Sequence, residues 1–135
     1  MAYIRLHDLH AQFGEEEIDQ IADVNKTGTP DPVTVGRAIK NADAEIDAAL
    51  SGRYRLPLSP VPRLVRRLSG DLARWFLYGT APTKEVESRA KLARDLLRAL
   101  ANGELRLEGA LAGSSFARLD KSRPRMRWSG RDRRR

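Results

Sequence analysis

The stretch Asp31–Leu58, DPVTVGRAIKNADAEIDAALSGRYRLPL, constrains the fold of this 135-residue chain more than any other. Asp31 is placed to accept hydrogen bonds from the free amides of a first helical turn. Pro32 suits the first helical position because it has no amide to satisfy. Val35, Ile39, Ala42, Ile46 and Leu50 follow at spacings of three and four, which makes one apolar stripe on a helix. Arg37, Lys40, Asn41, Asp43, Glu45 and Asp47 fall opposite and read as a solvated face. Ser51-Gly52 offers a left-handed glycine cap. Pro57 then keeps the helix from running on through Arg53-Tyr54-Arg55-Leu56-Pro57-Leu58.

Shorter signals lie before this helix. Leu6–Phe13 places Leu6, Leu9 and Phe13 on one helical face and stops at Gly14. Glu15–Val24 forms a second short helix whose acidic first turn suits the positive end of the helix dipole, with Ile18, Ile21 and Ala22 facing inward. The turn-rich run from Asn25 to Pro32 separates this pair from the long helix. His7 and His10 stand three apart, but no further His and no Cys completes a metal site, so both read as surface residues.

Past the long helix, Pro57, Pro60 and Pro62 stiffen an extended connection. Pro62–Tyr78 then reads as a helix with Leu64/Val65, Leu68, Leu72 and Trp75/Phe76 as its stripe. Gly70 inside it implies close approach of another backbone, because glycine there costs about 1 kcal/mol against alanine. Asp71 lies beside the stripe, and a partly buried carboxylate needs a partner; an Arg53–Asp71 ion pair is expected to fix the loop to this helix. After the break at Gly79–Pro82, Thr83 caps Lys84–Asn102, where Val86, Ala90, Ala93, Leu97 and Leu100 recur at near-heptad spacing. Leu92, Leu96 and Ala99 widen that face toward a neighbouring subunit. Gly103 is the expected cap. Glu104–Glu108 alternates polar and apolar residues, a signal for one short strand suited to pairing with another chain.

The chain is one domain by length, and its 41% hydrophobic content supplies one modest core. The fold class is therefore all-α: a small bundle of two short and three long helices over residues 1–103, with an extended basic arm over 104–135. No cysteine is present, which removes disulfides and thiolate metal sites. The absence of cysteine also suits a protein assembled in the cytoplasm; no apolar run approaches the roughly 20 residues of a membrane span, and the N-terminus lacks a signal-peptide core. The net charge of +7 is unevenly placed. Residues 1–108 hold 16 Lys/Arg and 16 Asp/Glu, whereas residues 109–135 hold nine and two. A neutral body with a basic arm points to an anionic partner. Phe116, Met126 and Trp128 stand among Arg118, Lys121, Arg123, Arg125 and Arg127, a mixture of anchors and guanidinium forks suited to docking on a partner.

Catalytic motifs are missing. The sequence has no glycine-rich phosphate loop, no GxSxG and no HExxH. Without cysteine, and with two clustered histidines, a nucleophile–base pair is hard to assemble. No enzyme activity, cofactor or metal is expected.

The residues now laid out resemble a family of small proteins of Mu-like phages and prophages. The resemblance rests on Met1-Ala-Tyr3, Asp8-Leu9, Phe13-Gly14-Glu15 with Ile18, Ala42, Glu45-Ile46-Asp47 and Leu50. Its most specific part is Arg53-Tyr54-Arg55-Leu56-Pro57-Leu58, followed by Asp71-Leu72-Ala73 and Leu77-Tyr78. It covers about residues 1–103. That family is similar to the head–tail connector adaptors of other long-tailed phages, helical proteins that form a ring beneath the portal. The resemblance implies a virion neck protein in a homo-oligomeric, twelve-fold ring. Its partners would be the portal and the next connector, stopper or tail-terminator protein, with packaged DNA passing through the channel. It also implies that Arg53, Tyr54, Leu56, Pro57 and Asp71 determine the fold rather than bind a ligand. The other reading is a small helical nucleic-acid-binding protein whose Arg-rich arm contacts phosphates and loses affinity steeply between about 50 and 200 mM salt.

Overall fold

A computed structural model describes residues 2–107 as five helices: α1 (Leu6–Phe13), α2 (Glu15–Ala22), α3 (Pro32–Leu50), α4 (Arg63–Tyr78) and α5 (Lys84–Asn102). No strand occurs among the described residues, so the chain is an all-α bundle. The start signals act as the residue chemistry requires. The Asp31 carboxylate accepts the Val33 amide at 3.4 Å and the Thr34 hydroxyl at 2.6 Å. Thr83 accepts the Val86 amide at 3.2 Å, and Gly103 ends α5 in the left-handed conformation at φ 86°.

α4 is the central element. It packs along α3 on one side and α5 on another, while α1 and α2 lie across it. Its buried stripe of Val65, Leu68, Leu72 and Leu77 meets Ile39, Ala42, Ile46 and Leu50 of α3. α5 contributes Ala90, Ala93, Leu97 and Leu100 to the same core. Gly70 is buried in α4, but what approaches it is a side chain rather than a backbone: a Cβ there would collide with the side-chain amide of Gln12 of α1.

A polar knot pins the N-terminal segment to this core. Asp43 is 7% exposed, not part of the solvated face expected from spacing. Its carboxylate accepts the Tyr3 amide at 2.9 Å and the Ser69 hydroxyl at 2.8 Å, joining the chain start, α3 and α4. Burial raises the Asp43 pKa, against the lowering effect of those two donors. The Tyr3 hydroxyl donates to Asp47 and accepts the Leu58 amide at 3.2 Å. Burial first, and the neighbouring Asp47 second, push that phenol up to about 12. Tyr54 does the same service at the far end, its hydroxyl accepting the Leu107 amide at 3.1 Å.

Two local expectations are corrected. α3 does not close on a left-handed Gly52. Ser51 stays right-handed at φ −60°, and both Arg53 and Tyr54 amides bond to the Leu50 carbonyl, which carries the turn far enough to bury Tyr54. The expected strand Glu104–Glu108 runs beyond the described residues, and over Glu104–Leu107, where Leu107 is buried, no strand forms. The Leu105 amide bonds back to the Ala99 carbonyl at 3.2 Å and the Leu107 amide to Tyr54.

Replacing Asp43 with Ala strands two buried donors, each of which costs about 1–3 kcal/mol when left without an acceptor. Asp43→Ala is therefore expected to lower unfolding free energy by about 2–4 kcal/mol in urea titration, and Ser69→Ala by about 1 kcal/mol. A loss below about 0.5 kcal/mol for Asp43→Ala would contradict the knot.

Candidate interaction site

The first turns of α4 carry Arg63, Arg66 and Arg67 on the face opposite the apolar stripe, so packing of the stripe forces all three outward. Asp8 and Gln12 of α1 stand on one side of them and Arg89 of α5 on the other, around a cleft of about 360 Å3. The missing side chain at Gly70 lets Gln12 lie against α4, where its amide donates to the Arg66 carbonyl at 3.4 Å. Among the described residues Arg63, Arg66 and Arg67 make no ion pair. Four guanidiniums around one concavity form an anion-receiving surface.

Asp71 lies beneath this cleft and is 5% exposed. Its partner is Arg89, with Nη2 3.3 Å from Oδ1, and not Arg53. The contact is a charge pair without hydrogen-bond alignment, since Oδ1 has no hydrogen-bond partner. Burial dominates and raises the Asp71 pKa, opposed by Arg89, Arg67 and Arg74. The reason for the exchange is distance along α5. Arg53 donates at 3.4 Å to the carbonyl of Ala101, twelve residues beyond Arg89 or about 18 Å of helix, and lies against Gly103. Arg53 thus ties the end of α3 to the end of α5.

The other end of α4 is held by a buried arginine. Arg74 grips Glu17 of α2 with a two-pronged fork, Nε to Oε2 at 2.7 Å and Nη2 to Oε1 at 3.0 Å. Nη2 also reaches Glu85 of α5 at 3.4 Å, and the Tyr78 hydroxyl donates to Glu17 at 2.9 Å. The guanidinium carbon lies 4.4 Å from the centre of the Phe13 ring. Burial pulls the Glu17 carboxyl upward, but the Arg74 and Tyr78 hydrogen bonds outweigh it and the group titrates below its ordinary value. Glu15 and Glu16 stand exposed beside this knot. His10 is spent on Asp19 at 2.7 Å.

A second depression, of about 510 Å3, runs along α3 between Ile4, Gly36, Ile39 and Ala44. Phe116, Arg118, Lys121, Arg123, Arg125, Met126, Arg127 and Trp128 lie outside the described residues. The α4 arginine row was present in the sequence as RLVRR without an acidic residue in the first turn. That imbalance at the positive end of a helix was the available signal.

Comparisons with known proteins agree on one family. The family described as Bacteriophage Mu, Gp36 matches residues 3–122. The chain is 31% identical over 87 residues to gene product J of Escherichia phage Mu, covering 64% of this chain and 62% of that protein. It is 29% identical over 105 residues to Mu-like prophage FluMu protein gp36 of Haemophilus influenzae, covering 78% of this chain and 74% of the relative.

Double-mutant cycles separate the two arginines. Arg89→Ala and Asp71→Ala are expected to couple by about 0.5–3 kcal/mol, whereas Arg53→Ala and Asp71→Ala add within about 0.5 kcal/mol. Coupling confined to the Arg53 pair would overturn the assignment. For Glu17, whose folded pKa is depressed, the stabilisation is present above the ordinary glutamate range and lost as pH falls through its folded value. The Tm difference between the wild type and Glu17→Gln is expected to be largest near pH 7 and to shrink below about pH 4. A difference that widens on acidification would contradict it.

Proposed function

Because this chain belongs to the family described as Bacteriophage Mu, Gp36, we propose that it is a structural protein of the virion. In this reading it is a head–tail connector adaptor, repeated in a ring beneath the portal and joining the DNA-filled head to the tail. The family match over residues 3–122 carries the reading, since it spans the whole helical body. The chain spans 62% of the length of gene product J, so the role of that whole protein enters here only as part of the proposal.

The disposition of ionisable groups supports a building block rather than an enzyme. Asp43 is consumed by Tyr3 and Ser69, Glu17 by Arg74 and Tyr78, and Asp71 sits against Arg89. Each joins helices, and they do not converge on one concavity, as an acid–base pair in a catalytic site would. What the body presents outward is charge: the arginine cleft at the start of α4 and the exposed carboxylates of Glu15 and Glu16 at the start of α2. A repeating subunit needs such faces to meet its neighbours heterologously. The equal numbers of acids and bases in residues 1–108 favour protein contacts over a nucleic-acid-binding role for the body. The basic arm is assigned to the portal, and the opposite ring face to the next connector, stopper or tail-terminator protein. Among the described residues no helix is long and apolar enough to cross a membrane.

Inactivating the gene in an inducible prophage is expected to yield DNA-filled heads and separate, complete tails under negative-stain microscopy. Intact virions, or an arrest before DNA packaging, would contradict the connector role.

A further inference from the structure

α3 carries a glycine that nothing around it calls for. Glycine inside a helix is less stable than alanine, because its backbone has more freedom to lose. Gly70 of α4 is explained by the Gln12 side chain laid against it. Gly36 stands exposed within α3, and among the described residues a Cβ there would meet no atom within 4 Å. It borders the 510 Å3 depression between residues 2–5 and α3, whose apolar floor is Ile4 and Ile39. Gly36, Lys40 and Ala44 follow at one-turn spacing along its exposed edge. Two bases, Arg5 and Lys40, and two acids, Asp43 and Asp47, line it, so the groove is balanced in charge. A helix edge kept bare beside an apolar floor suits the close approach of another segment.

We propose that this groove receives the segment Leu111–Leu119 of the same chain, with Phe116 and Leu119 as its apolar anchors. Reach is the first argument. The described chain ends at Leu107, whose amide is held by the Tyr54 hydroxyl at 3.1 Å, and the Tyr54 amide is bonded in turn to the Leu50 carbonyl. Asp47, at the near end of the groove, lies one helical turn from Leu50, and Gly36 lies about 16 Å further along α3. The twelve residues from Leu107 to Leu119 span up to about 40 Å when extended, so both anchors can arrive from the same copy. Composition is the second. Residues 108–122 hold two bases and two acids together with Leu111, Phe116 and Leu119, whereas residues 123–135 hold seven arginines and one aspartate. A neutral apolar segment matches the balanced groove; the arginine run does not. The third is the family match, which covers residues 3–122 and stops before that run. Tethering also presents the segment to the groove at an effective concentration in the millimolar range, which favours it over the arm of a second copy. The positive excess of the chain then stays outside the groove, left to the portal contact proposed above. This docking needs no ring, so it goes beyond the connector reading without resting on it.

The absence of cysteine makes the test clean, because introduced thiols are the only ones. Full-length A44C/A117C is treated with a short bismaleimide at low protein concentration, and the product is read by gel mobility and peptide mass spectrometry. An intrachain link is expected, and adding F116S/L119S is expected to lower its yield at least about tenfold, since tethering alone does not need the anchors. Q20C/A117C serves as the control, because Gln20 is exposed on α2 and does not line the groove; its yield is expected to be low with either arm. Gly36→Leu supplies a second readout on the full chain. With F116S/L119S it replaces a helix glycine at an open site and is expected to raise Tm by about 2–5 °C. With the wild-type arm the same side chain meets the docked segment, and no rise is expected. A cross-link yield indifferent to the anchors, or an equal rise in Tm with both arms, would overturn the proposal. So would a link that forms only between separate A44C and A117C chains and grows with concentration, which assigns the groove to the arm of a second copy. If the intrachain link behaves as expected while inactivating the gene leaves virions intact, the connector reading fails and this docking stands.

Discussion

The carboxylate of Asp43 ties together three parts of the chain that also share the apolar core. Tyr3 supplies a backbone donor from the chain start, Ser69 a hydroxyl from the middle of α4, and Asp43 itself stands on α3. A buried ionisable group is expensive unless its lone pairs are filled, and here two short hydrogen bonds fill them. Once this crossing is fixed, α4 is registered on α3, and Tyr3 is positioned to reach Asp47 and Leu58. The face that α4 then turns outward is the one bearing Arg63, Arg66 and Arg67. The surface chemistry of the protein follows from an interior bond.

The same logic explains why the ionisable groups of the interior read as fasteners. Arg74 joins α2, α4 and α5 through Glu17 and Glu85, and Arg94 joins α5 to α3 through Glu45 at 2.6 Å. Arg94 also lies 4.5 Å from the Trp75 ring centre, stacked where α4 and α5 meet. Small helices with a modest shared core gain definition from such pairs, because apolar packing alone tolerates sliding. In the proposed connector role, where fixed faces must meet neighbouring copies, that definition is an advantage.

Much of the helical layout was legible in the sequence. Asp31-Pro32, Thr83 and Gly103 mark helix ends by local chemistry, and local chemistry decides them in the structure too. Long-range pairing was less legible. Arg53 and Arg89 are equally plausible partners for Asp71 by residue type, and only the run of α5 along α4 selects Arg89. By spacing alone Asp43 falls outside the apolar stripe of α3 and reads as solvent-facing, yet it is buried. Its partner Tyr3 lies 40 residues away, beyond the reach of any helical periodicity. The apolar alternation of Leu105 and Leu107 was real, yet the backbone bonds that would make a strand went to Ala99 and Tyr54 instead. The arginine cleft draws on α1, α4 and α5 at once, so no single stretch of sequence displays it.

The connector account is tested most directly by cryo-electron microscopy of isolated particle necks. The account expects a ring directly beneath the portal whose repeating density fits the five-helix body of residues 2–107. A neck fully built from other chains, with this protein absent from the purified particles by mass spectrometry, would contradict it.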